Sequence, residues 1–217
     1  MISGPSGTGK GTICSELVKQ GEAMLSVSMT TRAPREHEEE GKSYFFVSKG
    51  RFTEVIKEEG FFEYADVYGE YYGTPKLPVM EQIEAGKDVI LEIDVNGAMQ
   101  VRKCMPEAVL VFIMPPSPEE LKRRIESRGT ETPERIAKRL ERSEGEIAKL
   151  GEYDYCVVND DLALAVQNVL DIMQAERTCD TAPVSRLKAG AGAEDIIKKY
   201  MEAGSKAGGE NVTLPTN

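Results

Sequence analysis

The chain has 217 residues, and its 40% hydrophobic content suits a globular core rather than a disordered polymer. Its 37 acidic and 27 basic side chains leave a formal net charge of −10, which argues against a nucleic-acid binder with a broad basic face. His37 is the only histidine, which excludes multi-histidine metal centres and any serine–histidine hydrolase not built on His37; the scattered Cys14, Cys104, Cys156 and Cys179 form no CxxC pair and read as reduced thiols.

No apolar run approaches the ~18–20 residues of a membrane span. The start carries no basic region followed by an apolar stretch, so no leader is expected. A cytoplasmic protein with no membrane or nucleic-acid partner is the expectation, and nothing in the sequence points to a protein partner.

In chain order, the predicted elements begin with a short strand at Met1 to Ser3 and a helix from about Lys10 to Gln20. Leu25 to Thr30 alternates weakly and reads as an edge strand. Ser43 to Ser48 reads as another strand. Phe52 to Glu59 reads as a short helix stopped by Gly60, and Tyr71 to Thr74 as an aromatic, glycine-bearing turn region. Val89 to Val95, Val109 to Met114 and Tyr155 to Val158 are near-continuous apolar runs, the pattern of buried parallel strands. Helical stretches follow them at about 97–103, 118–127, 133–150 and 162–176, with Ser117 placed to cap and Pro118 at the first helical position. Strands alternating with helices predict an α/β fold with a central parallel sheet flanked by helices. After Arg177 the composition turns rich in Gly, Ala, Ser and Thr. Residues 178–217 are therefore expected to be a partly disordered extension with a short helix at 193–203.

Gly4-Pro5-Ser6-Gly7-Thr8-Gly9-Lys10 fits the G-x-x-x-x-G-K phosphate loop. Glycines let successive backbone N–H groups turn inward around a phosphate, and the following helix adds the positive end of its dipole. Lys10 supplies a point charge to the β and γ phosphates. Gly11 stands where the general pattern has Ser or Thr, and Thr12 follows. Gly4 to Thr12 is thus the candidate ATP-binding segment: Gly4, Pro5, Ser6, Gly7, Thr8, Gly9, Lys10, Gly11 and Thr12. The basic residues gather locally, at Arg32 to Arg35 and between Lys122 and Arg142, which suits small anionic ligands or, equally, the solvated faces of charged helices.

Ser26-Val27-Ser28-Met29-Thr30-Thr31-Arg32-Ala33-Pro34-Arg35, followed by Gly41, Tyr44, Phe46 and Val47, resembles guanylate kinase. The resemblance continues through Phe62-Glu63-Tyr64-Ala65, Tyr71-Tyr72-Gly73-Thr74, Leu91-Glu92-Ile93-Asp94-Val95 and Gly97. It resumes at Pro115-Pro116-Ser117, Arg128-Gly129-Thr130-Glu131-Thr132, Lys138-Arg139-Leu140 and Val158-Asn159-Asp160, and spans about residues 2 to 177. It implies a P-loop kinase fold with a core of 1–29, 81–119 and 146–177, a small mixed GMP-binding insert at about 30–80 and a helical lid at about 120–145. The family normally has several more apolar residues ahead of the loop, so the first strand is expected to be truncated.

The residue chemistry runs the same way. A monophosphate dianion suits the forked cations of Arg32 and Arg35, with Tyr44 and Tyr72 adding hydroxyl donors. Guanine offers N1–H and its 2-amino group as adjacent donors, which Glu63 can accept together, while Thr74 and Ser28 can serve O6. Adenine lacks both donors and would leave Glu63 unmatched. Taken singly, each of these residues could as well be a surface charge, a packed strand aromatic or an exposed acid.

By resemblance, Arg128 and Arg139 belong to a lid that closes over ATP, with Arg124 in support; Lys10, Arg35, Arg124, Arg128 and Arg139 are the candidate catalytic residues. Arg123, Arg135 and Arg142 read as solvated charges. Asn159 and Asp160 resemble the adenine-contacting pair, and Asp160 can also cap the final helix. Glu92 and Asp94 are expected beside the acceptor nucleotide and hydrated Mg²⁺, the ion carried in with ATP. No direct metal ligand is assigned, with Thr12 and Asp94 the candidates to reach the ion through water. The implied reaction is direct, in-line, reversible transfer of the ATP γ-phosphoryl group to GMP, and dGMP, in purine nucleotide metabolism, with no phosphoenzyme. Some guanylate-kinase-like domains are inactive protein-binding modules that have lost the working loop; the intact loop with Lys10 argues against that alternative here.

Overall fold

The structure, a computed structural model, describes residues 1–127 and 132–207. These fall into two compact units: Met1–Ser3 with Cys14–Leu110, and Gly4–Ile13 with the chain from Val111 onward. Helix α1 (Lys10–Lys19) is shared between them, while β1 (Ile2–Ser3) belongs to the first.

In the first unit, β2 (Met24–Leu25) pairs in parallel with β7 (Val89–Ile90), in register Met24 to Val89. The chain beyond β7 stays extended and bridges β1 in parallel through Glu92 and Ile2. The run expected to be one strand from Val89 to Val95 is therefore interrupted. Asp94 ends it by accepting the Gly97 N–H at 2.8 Å and capping α4 (Val95–Cys104). A second sheet carries the strand order β4 (Phe45–Phe46), β3 (Met29–Thr30), β6 (Glu70–Pro75), β5 (Phe61–Val67). The expected single strand Leu25–Thr30 is thus two short strands serving different sheets, and the strand expected at Ser43–Ser48 narrows to β4.

Tyr71 to Thr74, expected as a turn, is the heart of β6. β-branched and aromatic residues suit a pleated, half-buried surface, and the reversal lies earlier. Tyr68 (φ 55°) and Gly69 (φ 84°) make a tight hairpin turn, with the Gly69 N–H donating to Asp66 Oδ1 at 2.7 Å. Helix α2 (Lys49–Lys57), capped by Ser48, packs Phe52 and Val55 on Phe61. Phe52 stacks on Phe61 and Tyr71 at centroid distances of 4.4 and 5.5 Å. Helix α3 (Lys76–Glu84) leads from the sheet back to β7.

In the second unit, β8 (Val111–Met114) pairs in parallel with β9 (Tyr155–Val158), and every residue of β8 is buried. Helices α5 (Pro118–Glu126) and α6 (Pro133–Ile147) lie between them in sequence, capped by Ser117 and Thr132, each with proline in the first turn. Helix α7 (Leu162–Thr178) follows β9. Its cap is Asp161, which accepts the Leu164 N–H at 2.8 Å, and not Asp160.

The extension, through Ala207, folds onto this unit. Short 3₁₀ segments at Ala182–Leu187 and Gly190–Gly192 lead into α8 (Ala193–Ala207), longer than the expected 193–203. Arg186 Nη2 donates to Asn168 Oδ1 at 2.9 Å, and Lys188 sits 4.2 Å from the Tyr155 ring centroid, whose hydroxyl donates to Glu176. Tyr200, 6% exposed, and Met201 face Leu121, Leu140 and Ile147 around a cavity of about 270 Å³. Buried aromatic and aliphatic contacts of this kind outweigh the entropy of ordering a small-residue tail.

Candidate active site

The phosphate loop occupies Gly4–Gly9 and opens α1 at Lys10. Gly4 (φ +135°) leaves no room for a side chain, since a Cβ there would fall 2.4 Å from the Ile113 carbonyl oxygen. Gly9 (φ +88°) lies against Asn159, whose Nδ2 would stand 2.4 Å from a Cβ. These two positions need glycine for both conformation and space. Thr8 is fully buried and its hydroxyl donates to the Pro5 carbonyl at 3.0 Å, tightening the loop on itself. Lys10 Nζ donates to the carbonyls of Gly4 and Pro5 at 2.7 and 2.8 Å, so the ammonium is carried on the loop rather than swinging from the helix. Gly11 and Thr12 are exposed in the first turn of α1.

Of the other residues expected near ATP, Asn159 is 7% exposed, and its Nδ2 donates to the Thr8 carbonyl at 2.8 Å. Its amide therefore braces the phosphate loop. Asp160 is exposed. Arg139 Nη2 donates to the Ser6 hydroxyl, bringing α6 to the loop. Arg124 donates from Nε to Glu120 Oε1 at 2.6 Å and from Nη2 to the Asn159 carbonyl at 3.0 Å. Glu120 also takes two bonds from Arg123, and these arginines, Arg123 foremost, hold its carboxyl down to about 2. Arg123 is exposed, in keeping with a solvated charge, and shares the carboxylate that holds Arg124. Arg128 lies outside the described residues.

The residues expected to take the acceptor lie in the first unit. Arg32 Nε donates to the Tyr72 hydroxyl at 3.1 Å, its Nη2 to both Glu38 oxygens at 2.8 and 2.9 Å, and its guanidinium carbon lies 5.6 Å from the Tyr44 ring centroid. The Tyr44 and Tyr72 rings meet edge-on at 6.0 Å. Burial pushes the Tyr44 hydroxyl up, so it stays a donor at neutral pH. Arg35 is exposed, three residues before Glu38, whose carboxylate also accepts the Arg35 N–H at 2.8 Å. Arg32, chiefly, holds the Glu38 carboxyl below the usual carboxylate range. Ser28 is half-buried at the entry to β3, and its carbonyl accepts the Phe45 N–H.

A second cluster lies along the same sheet. Glu63 on β5 and Thr74 on β6 are cross-strand partners, and the Thr74 hydroxyl donates to Glu63 Oε1 at 2.7 Å. With its proton committed there, Thr74 orients Glu63 and keeps only acceptor capacity for a ligand. Burial, with a smaller contribution from Asp94, pushes the Glu63 carboxyl above its ordinary value, while the Thr74 bond works the other way. Asp94 and Glu92 are both exposed, and Asp94 spends Oδ1 on capping α4.

Sequence reasoning missed Glu38, Glu120, Asp161 and the buried face of Gly97. Glu38 three residues beyond Arg35, and Glu120 one helical turn before Arg124, were the available signals.

A glycine-rich anion loop opening a helix, with Arg139 of α6 bonded to it and Arg124 of α5 bonded to the residue that braces it, defines a P-loop nucleotide kinase. Residues 1–176 match the family model described as Guanylate kinase. The chain therefore belongs to the guanylate kinase family. It is 54% identical over 177 residues to the guanylate kinase of Clostridium tetani, covering 82% of this chain and 85% of that one. To the guanylate kinase of Clostridioides difficile it is 46% identical over 203 residues, covering 93% and 95%. The crystal structure of guanylate kinase from Anaplasma phagocytophilum superposes with a TM-score of 0.63 at 34% identity, covering 81% of this chain and 83% of that one. The fold is α/β of the P-loop kinase type.

Proposed function

We propose that this chain catalyses the reversible transfer of the γ-phosphoryl group of ATP to GMP, and to dGMP, giving ADP and GDP. The observation that carries the acceptor is Glu63: a half-buried carboxylate, pinned by the Thr74 hydroxyl at 2.7 Å, with acceptor oxygens for two adjacent donors. Guanine presents such a donor pair and adenine does not. Arg32, with Tyr44 and Tyr72, suits the 5′-phosphate, and exposed Arg35 adds a second forked cation.

On the donor side, the loop amides and Lys10 hold the phosphates. Arg139, bonded to Ser6, and Arg124, bonded to the Asn159 carbonyl, bring positive charge to the loop as charge develops on the transferring group. No residue needs to become phosphorylated, because positioning and charge neutralisation suffice.

Mg²⁺ fits this chain as an ion borne by the nucleotide phosphates. The exposed Thr12 hydroxyl opens α1 on the donor side, the Asp94 carboxylate stands in the acceptor unit, and hard cations of this size keep much of their water. Among the described residues no group of three His, Cys, Asp or Glu side chains is arranged to hold a metal ion. When bound with ATP the ion neutralises phosphate charge. A cytoplasmic place suits the cysteines, none of which forms a disulfide.

A coupled assay comparing GMP, dGMP, AMP and UMP at fixed ATP tests the reading. GMP and dGMP are the expected acceptors, with AMP poorer by about 10⁴-fold, the discrimination that a buried hydrogen-bonding site achieves. AMP as the better acceptor would overturn it.

A further inference from the structure

Gly97 is buried, the third helical residue of α4, and its N–H is the one that Asp94 caps. Its φ is not positive, so the backbone makes no demand for glycine. Glycine within a helix is less favourable than alanine. Space offsets that cost. A Cβ on Gly97 would lie 3.1 Å from Glu63 Oε2 and 3.3 Å from both Cδ and Cγ, all closer than ordinary van der Waals contact. Glu63 can give way only at the expense of the bond that holds it. Its backbone is fixed opposite Thr74 in the β5–β6 ladder, and its Oε1 is held by the Thr74 hydroxyl. A methyl group at 97 therefore displaces the carboxylate and loosens the Thr74 bond.

We infer that Gly97 is a specificity-determining positioning residue: the missing side chain sets where the Glu63 carboxylate stands, and with it the choice of guanine over adenine. This rests on the reading of Glu63 as the acceptor of the guanine donors. Gly97 touches no reacting atom and acts through Glu63 alone. A displacement of a few tenths of an ångström is enough, because a pair of parallel hydrogen bonds to one carboxylate is sensitive to angle as well as distance.

The test is a double-mutant cycle on the full chain, measuring kcat and KM for GMP, AMP and ATP. Gly97→Ala should raise the GMP KM about tenfold or more, narrow the GMP-over-AMP ratio by a similar factor, and leave the ATP KM unchanged. In a Glu63→Ala background the same substitution should change none of these by more than about twofold, because the group it displaces is gone. An equal effect in both backgrounds, or a parallel rise in the ATP KM, overturns the inference. If Glu63→Ala itself keeps the GMP-over-AMP preference, it is the guanine reading that fails. Should Gly97→Ala not fold by itself, folding of Glu63→Ala/Gly97→Ala supports the steric link, and failure of that variant too overturns it.

Discussion

The half-buried carboxylate of Glu63 carries two opposite consequences. To accept from guanine it must be ionised, and burial raises its pKa. The GMP KM should therefore begin to rise on acidification at a higher pH than an unperturbed carboxylate would give, while the ATP KM stays flat there; a pH series of both constants checks this. For stability the sign reverses. A raised folded-state pKa means that the folded chain binds the proton more tightly than the unfolded one, so this contribution is full at low pH and is lost as pH rises through the folded value. Glu63→Gln should accordingly raise the melting temperature at neutral pH while abolishing discrimination for GMP, a trade common at functional sites. Arg35→Ala should lower turnover with GMP about a hundredfold through misplaced phosphate, with ATP-analogue binding in a titration unchanged; equal loss of both would remove Arg35 from the acceptor site. The phosphate loop was legible in the sequence because its chemistry is contiguous. Glu38 was not, because a carboxylate among the run Glu36 to Glu40 looks like solvated charge until Arg32 is seen to hold it. The bond from the Asn159 amide to Thr8, far away in the chain, was not legible either, because nothing in the spacing links the two.

Elements were legible where periodicity is long and illegible where strands are two residues wide. α5 follows from its Ser117 cap and Pro118, whereas α6 and α7 were legible as long helical stretches and their caps, Thr132 and Asp161, were not. β2, β3 and β4 have too few residues for any alternation to show, and are defined by the strands they meet. β6 was hidden because glycine and paired tyrosines resemble a turn, while the positive φ angles fall at Tyr68 and Gly69. The extension was the largest surprise, since its small residues hide a few strong anchors. Tyr200→Ala, which empties the contact of α8 with α5 and α6, should cost about 3 kcal/mol in chemical denaturation. If the midpoint does not move, α8 is not integral to the second unit.

At the level of the whole molecule, the groups suited to ATP and those suited to GMP belong to different compact units. Each nucleotide should therefore leave its own footprint in amide hydrogen exchange. GMP alone is expected to slow exchange around 28–45, 63–74 and 94–97, and a non-hydrolysable ATP analogue around 4–12 and 159. A ligand at a hundred times its Kd adds about 2.7 kcal/mol of stability, enough to read as protection. The same slowing from either nucleotide alone across both sets would contradict this separation. The meeting of Tyr44, Tyr72 and Arg32 has an optical consequence as well. The chain contains no tryptophan, so near-ultraviolet emission comes from its eight tyrosines, and two of these flank the expected acceptor phosphate. The unlabelled protein thus carries its own fluorophore for the acceptor, and stopped-flow tyrosine emission can time its arrival and departure without a reporter dye.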